Sequence, residues 1–481
     1  MTTTLEASAA VRAAQRRWWA LAVIGLAQLL VIIDTTIITI ALPSAQRELG
    51  MSNVGRQWTI TAYTLAFGGL LLLGGRLADR VGRKNTLIIG ALGFALASAV
   101  GGAANGPTML IAARAAQGVF AALLAPSTLS LLTITFTDTK ERAKAFGIFS
   151  AILMSGAAVG LIVGGSLAEY LDWRWCLYVN LPVAIVAAVG GWYLLPKVPG
   201  HRETRLDWTS AAIGTAGIVA LVYALSEAAT KGWGDGLVIG LLAAAVVLIA
   251  GFLVRQLRVA NPLLPMRILA DRKRASGYAT IAAASFGMFG MFLFLTFQLQ
   301  AVMHYGAFKA GLAFLPFLLG NVVMSVGVAR RFLPRTGPRP LLVIGLLLMA
   351  AGLLMLTQLT PDASYWGLIM PVELIMGAGG GLAMPTVMNI ATARIEPRDA
   401  GVASAFITTS QQVGASLGTA SLTTIASSAT ASAAGLGMVG ATVHGYAVAN
   451  GWAGAIVGAA ALGVGLLVGR RQPDPAPAPA S

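Results

Sequence analysis

Fourteen long apolar runs, separated by short charged loops, recur between Trp19 and Val468 of this 481-residue chain. They lie near residues 19–42, 57–76, 85–104, 107–135, 143–168, 175–195, 208–227, 235–254, 275–303, 310–329, 340–359, 364–392, 400–426 and 446–469. Each is long enough to cross a hydrocarbon core of about 30 Å, which takes roughly 20 helical residues. Hydrophobic residues make up 57% of the chain and charged residues only 11%, more apolar surface than a soluble core can hide. The expectation is an all-α integral membrane protein that crosses the bilayer fourteen times.

The net charge of +15 would point to nucleic acid in a soluble protein. In a membrane protein it reports topology instead, and nucleic acid is not an expected partner. Of the 33 Lys and Arg, 27 fall in alternate loops counted from a cytoplasmic N-terminus, five in the loops between them, and Arg114 alone inside a span. This bias places both termini on the cytoplasmic side of a cell (inner) membrane. The first run, of about 24 residues after Arg12, Arg16 and Arg17, is too long for a signal peptide and is read as a permanent span. One cysteine, Cys176, and three histidines can supply neither an intrachain disulfide nor a clustered metal site. His201, His304 and His444 are expected at the solvated surface.

The chain repeats itself. Arg114, Gly118 and Pro126 in the fourth run recur as Glu373, Gly377 and Pro385 in the twelfth, at an offset of 259. Asp138, Lys140, Gly156 and Gly160 recur at an offset of 258 as Glu396, Arg398, Gly414 and Gly418. The expected organisation is a six-helix half at 1–195, an inserted helix pair with its loops at 196–270, a second six-helix half at 271–469, and a disordered, Pro- and Ala-rich cytoplasmic tail at 470–481.

Three charged residues lie well inside spans: Asp34, Arg114 and Glu373. Each costs about 2.5–3.5 kcal/mol at a helix centre, so each is expected to face the protein interior or a water-filled cavity. A carboxyl that meets the two sides of the membrane in turn can load and unload a proton, which makes Asp34 a candidate carrier; the plainer alternative is a fixed ion pair with Arg114. Arg114 is either a structural tether or an adjuster of Asp34. Glu373 is a candidate second proton site or cation-binding carboxylate, against the alternative of a carboxyl kept neutral by hydrogen bonding. Tyr63, Gln117, Gln298 and Asn321 could line a substrate cavity with Asp34 and Glu373, and the many Phe and Met residues favour a greasy, permissive one.

Between the second and third runs stands Gly75-Arg76-Leu77-Ala78-Asp79-Arg80-Val81-Gly82-Arg83-Lys84. It reads as a tight turn at Gly82 with basic residues on the inner face and Asp79 free to pair with them or to cap a helix. It resembles, at every defined position, the signature loop G-x-L-A-D-R-x-G-R-K of the major facilitator superfamily. The resemblance implies a conformational latch formed by Gly75, Asp79, Arg80, Gly82 and Arg83. Three further segments are similar to the fourteen-span drug:proton antiporter branch. Asp34-Thr35-Thr36-Ile37-Ile38-Thr39-Ile40-Ala41-Leu42-Pro43 is close to D-x-T-I-V-N-V-A-L-P, with Thr39 in place of Asn. Arg114-Ala115-Ala116-Gln117-Gly118 matches R-x-x-Q-G, which implies proton coupling through Arg114 and Gln117. Gly156, Gly160, Gly164 and Gly165, with Trp173-Arg174-Trp175 and Asn180-Leu181-Pro182 beyond them, resemble the antiporter motif G-x-x-x-G-P-x-x-G-G, with Leu161 in place of its proline. Spacing alone reads those glycines as a helix face for close packing.

The resemblance implies two six-helix bundles plus two inserted helices, working by alternating access as a proton-coupled exporter (an antiporter) of drugs or amphipathic organic compounds. The partners would be a small organic substrate, protons and the lipid bilayer, with the proton gradient as driving force, no cofactor and a functional monomer. One alternative is a proton-coupled transporter of one specific metabolite; a remoter one is a non-transporting membrane sensor. No GxxxxGK[ST], HExxH or CxxC element occurs, so an enzyme is not expected.

Overall fold

The computed structural model describes residues 2–197, 200, 207–259, 262–264, 266, 271–391 and 400–467. The expected tail at 470–481, His201, and the repeat partners Glu396 and Arg398 lie outside the described residues. The described elements are all helical. In chain order they are α1 (Thr2–Glu48), α2 (Asn53–Val81), α3 (Arg83–Gly102), α4 (Pro107–Thr135), α5 (Thr139–Tyr170), α6 (Trp175–Tyr178), α7 (Asn180–Leu194), α8 (Trp208–Lys231) and α9 (Gly236–Arg258). They continue as α10 (Arg272–Phe297), α11 (Ala307–Ala313), α12 (Leu315–Val322), α13 (Arg330–Thr336), α14 (Pro338–Met355), α15 (Met370–Ala391), α16 (Ala400–Ser432) and α17 (Gly437–Leu467). Three π-helical stretches extend or join them: Gln298–Val302 after α10, Val323–Ala329 between α12 and α13, and Tyr365–Ile369 before α15.

Short-range chemistry sets many boundaries. The side chains of Ser52, Asp138, Asp207 and Asp235 accept from the first free backbone N–H groups of α2, α5, α8 and α9, the usual answer to unsatisfied donors at a helix start. Pro107 opens α4, where its missing N–H costs nothing. Gly82, at φ 97°, both ends α2 and begins α3, a backbone reversal that a side chain would strain.

Among the described residues, twelve helices or helix runs are long and apolar enough to cross a membrane. The two expected spans missing from that set fall on α5 and α16, of 32 and 33 residues. α16 is rich in Gly, Ser, Thr and Ala, which suits a helix packed against protein rather than lipid, whereas α5 holds an uncharged apolar stretch at 146–163, nearly the length of a span. Several helices outrun the apolar runs: α1 continues to Glu48, and α17 begins at Gly437 and so carries His444 on an exposed helical site instead of a loop. His304 is exposed, as expected.

The sequence repeat returns as a packing repeat. Gly118 of α4 lies against the α2 backbone, where a Cβ would stand 2.5 Å from the Tyr63 carbonyl oxygen. Its counterpart Gly377 of α15 lies against the α12 backbone, 3.0 Å from the Asn321 nitrogen by the same measure. Gly156 and Gly160 of α5 press on α1 at Ile32, Ile33 and Thr36, while their counterparts Gly414 and Gly418 of α16 press on α10 at Ala282 and Phe286. Absence of a side chain at each position lets two helix axes approach closely.

Candidate functional site

The first polar centre forms where α1, α2, α3, α4 and α7 meet. Arg114 and Gln117 stand one turn apart on α4 and share a face. Asp34 reaches them from α1, with 0% of its surface exposed against 1% for Arg114 and 0% for Gln117. Arg114 Nη1 donates to Asp34 Oδ2 at 2.5 Å and to Gln117 Oε1 at 2.8 Å, and its Nε donates to the Thr59 carbonyl at 3.3 Å. Gln117 Nε2 donates to Asp34 Oδ1 at 2.9 Å and to Ser98 Oγ at 2.8 Å. Asn180, first residue of α7, donates its amide to the same Oδ1 at 2.8 Å. The Arg114 guanidinium lies 4.4 Å from the centre of the Tyr63 ring, a cation–π contact. A buried ion pair is tolerable only when its remaining polar atoms are also engaged, and here both carboxylate oxygens are.

The fixed pair weighed for Asp34 is therefore present, set inside a wider network. Asp34, Arg114, Gln117 and Tyr63 come together as a group. Sequence reasoning assigned no role to Asn180, Ser98 or the Thr59 carbonyl. An Asn inside the apolar run at 175–195 was a visible signal; a backbone carbonyl has none.

The second half places its three expected site residues on different elements: Glu373 on α15, Asn321 on α12 and Gln298 in the π-helical stretch after α10. Glu373, in the first turn of α15, is fully buried, and among the described residues neither of its oxygens has a hydrogen-bond partner. The alternative of a carboxyl held neutral by a hydrogen bond thus finds no donor there. Asn321 of α12 is likewise fully buried with both amide atoms unpartnered. Gln298 donates to the Thr360 carbonyl at 3.2 Å and leaves its Oε1 without a partner. Among the described residues, no hydrogen bond joins these three to the Asp34 group. None of the expected cavity residues lines the cavity of about 420 Å3 between α10, α16 and α17, which is walled by Phe294, Phe297, Thr423, Thr430 and Tyr446 among others.

In the Gly75–Lys84 segment, Arg83 donates to Asp79 Oδ1 at 2.8 Å across the Gly82 turn, and both side chains are buried. Of the two roles considered for Asp79, pairing is the one observed. Gly75 is buried and Arg80 half-buried. Arg76 points elsewhere, donating through Nε to the Leu263 carbonyl at 2.8 Å and through Nη2 to that of Pro262.

The glycine face of α5 wraps the stretch of α1 that carries Asp34. A Cβ at Gly156 would stand 2.6 Å from Ile32, at Gly160 2.9 Å from Thr36, and at Gly164 2.5 Å from Ile37. Gly165 is buried. Outside this contact, Trp173 and Arg174 bind Glu48 at the far end of α1, at 2.7 and 2.5 Å.

The family described as Major Facilitator Superfamily matches residues 24–419. The chain is 50% identical over 442 residues to the puromycin resistance protein pur8 of Streptomyces alboniger, covering 90% of this chain and 88% of that one. It is 36% identical over 407 residues to the cephamycin export protein CmcT of Amycolatopsis lactamdurans, with 84% of each covered. It is 33% identical over 408 residues to the tetracenomycin C resistance and export protein of Streptomyces glaucescens, covering 85% and 75%. The fold is similar to that of the human organic anion transporter MFSD10, with a TM-score of 0.65, 14% identity and coverage of 93% and 99%.

Proposed function

The chain belongs to the Major Facilitator Superfamily, a multi-pass membrane transporter and not an enzyme, and we propose that it is a proton-coupled exporter of antibiotic-like, amphipathic organic compounds. Relatives named for resistance to, or export of, puromycin, cephamycin and tetracenomycin C support export and a small organic cargo. The observation that carries the coupling is the buried Asp34–Arg114 pair at 2.5 Å. A charged pair in a membrane interior is costly to keep without a use. Protonation of Asp34 would cancel the attraction on which contacts among five helices depend, so loading and unloading a proton would change how those helices pack. Gly156, Gly160 and Gly164 put α5 directly behind the same stretch of α1, ready to feel that change. Asp79–Arg83, at 2.8 Å, supports the latch role implied for the Gly75–Arg83 loop.

Glu373 is the second functional carboxyl in this reading. A buried carboxylate with no partner is strongly unfavourable, so a proton or the cationic part of a substrate would complete it. Asn321 and Gln298 would offer hydrogen bonds to the same cargo. The Arg114–Glu373 reversal makes the halves electrostatically unlike: the first holds its charge satisfied, the second holds one to be satisfied.

The working form is a monomer in the cell membrane with both termini cytoplasmic and the proton gradient as its only driving force. It has halves at 1–195 and 271–469, an inserted pair within 196–270 and a cytoplasmic tail at 470–481. Fourteen spans follow if α5 and α16 cross the membrane; at 1.5 Å per residue each is about 48 Å long, more than a bilayer core needs.

The test uses proteoliposomes loaded with a pH dye and given a proton gradient. Puromycin and a panel of lipophilic cations are then added to wild type and Asp34→Asn. Compound-triggered proton movement in wild type, absent from the variant, is the expected result. Export without proton movement, or full coupling in the variant, would remove Asp34 from the mechanism.

A further inference from the structure

The packing repeat creates two seams between the halves. In one, α16 faces α2 and α4; in the other, α5 faces α11, α12, α13, α15 and the π-helical stretch Val323–Ala329. Repetition makes the seams equivalent, and the inserted pair breaks the equivalence. Helix α8 lies over the first seam and touches both sides. On α2, Trp58 meets Tyr223 with ring centres 5.8 Å apart, and Gly69 lies against Thr215 and Val219. On α16, Leu417 and Ala420 pack with Leu225 and Ala228. At Gly68 a Cβ would stand 3.6 Å from both Val222 of α8 and Gln412 of α16. Beside the second seam, Leu315, Leu319 and Val323 are 43%, 59% and 53% exposed.

The attachments of the pair differ in kind on its two sides. Asp207 at the head of α8 takes a bidentate pair from Arg255 near the end of α9, at 3.0 and 3.1 Å, which binds the two helices together. Beyond α9 the Leu264 N–H donates to Gln256 Oε1 at 3.1 Å, and the buried Leu263 and Leu264 sit in the main core. The carbonyls of Pro262 and Leu263 accept from Arg76 at the end of α2. Directional bonds therefore tie the pair to α2, while toward α16 the described residues join it through the apolar cluster of Leu225, Ala228, Leu417 and Ala420, a surface over which a helix can slide. The second seam contains the means to deform: the π-helical turns of Val323–Ala329, a geometry common at functional sites, and Gly147 of α5 facing the Ser325 carbonyl.

We propose that α8 and α9 travel with the first half as a fixed cover over the α2–α16 seam, so that an amphipathic organic substrate dissolved in the bilayer reaches the interior only through the α5 seam. The proposal rests on the export reading above. It gives the inserted pair a purpose, because the cover leaves one side door where symmetry would leave two.

The test replaces Cys176 with Ala and introduces two cysteine pairs separately, Trp58→Cys with Tyr223→Cys and Leu225→Cys with Ala420→Cys. Each protein is cross-linked in proteoliposomes and assayed for puromycin transport before and after reduction. The α2–α8 cross-link is expected to leave transport within about twofold of the reduced protein. The α8–α16 cross-link is expected to lower it at least about tenfold, with recovery on reduction. The reverse pattern, two active cross-links or two inactive ones would each overturn a cover carried by the first half. A second arm needs no transport: an aryl diazirine dissolved in the bilayer is photolysed with wild type and its adducts mapped. Adducts at residues 315–323, competed by puromycin, and none at 68–72 or 412–420 are expected; equal labelling of both seams would overturn the single route. If unlinked wild type moves no puromycin while this labelling pattern holds, the export reading fails and the asymmetric cover stands.

Discussion

Replacing Asp34 by Asn removes the one negative charge bonded to Arg114 and leaves a guanidinium that is 1% exposed. Of its polar contacts only the Gln117 oxygen at 2.8 Å, the Thr59 carbonyl at 3.3 Å and the Tyr63 ring at 4.4 Å remain. None of them carries a formal charge. Breaking one member of a buried ion pair costs about 3–5 kcal/mol, because the cost is that of the orphaned charge. Arg114→Gln leaves the opposite orphan and should cost a similar amount. The double variant Asp34→Asn/Arg114→Gln buries no charge at all, so its loss should fall short of the summed single losses by about 1–3 kcal/mol. Unfolding in mixed micelles with increasing dodecyl sulfate, followed by tryptophan fluorescence, closes the cycle. Additive losses would mean that the two groups do not sense each other, and the account of a network built on their attraction would fail. Proton coupling should be absent from all three variants, which separates the pair's part in stability from its part in transport.

Three further outcomes are expected. Gly118→Val places a side chain where even a Cβ would stand 2.5 Å from the Tyr63 carbonyl; α2 and α4 must separate, and folded yield by size-exclusion chromatography should fall sharply, while Gly106→Val, with open space around it, should not change it. Glu373→Gln should lower transport of cationic compounds about tenfold relative to neutral ones, equivalent to about 1.4 kcal/mol of lost attraction, measured as a ratio of initial rates; an unchanged ratio would take the cation-binding role away. At the head of α8, hydrogen bonds from Arg255 and then Ser210 hold the Asp207 carboxyl below the usual carboxylate range. A group lowered by folding stabilises the protein above its unfolded value and loses that contribution as the pH falls, so the clamp should weaken below about pH 4. Thermal stability of Asp207→Asn should therefore change less than wild type's between about pH 5 and pH 3, a small difference since Arg255 is 40% exposed.

Much of this architecture was legible along the chain because the bilayer enforces local rules. A run of about 20 apolar residues must be a helix whatever its neighbours are, and the duplicated Arg114/Gly118 and Glu373/Gly377 patterns recur as a duplicated close packing of α4 on α2 and of α15 on α12. Asp34, Arg114 and Glu373 stood out because charge in an apolar run carries a free-energy cost that needs a use. Counting apolar runs did not set α16 apart from the others: its Gly, Ser and Thr content suits contact with protein, and only its neighbours explain it.

The partners were another matter. Asn180 lies 146 residues from Asp34, and Thr59 lies 55 from Arg114; hydrogen-bond geometry selects partners by position in space, which spacing along a chain does not encode. The glycine ladder of α5 announced close packing, yet nothing in it named α1 as the recipient. Glu373 looked in the sequence like a second Asp34, and only the fold showed one carboxylate with three donors and the other with none. The place of the inserted pair over one seam, tied by Arg76 to α2, was likewise absent from the chain's own text. Hydropathy is a property of each residue and can be summed in order. The seam, the network and the cover are properties of surfaces that meet, and they exist only once the helices have been packed.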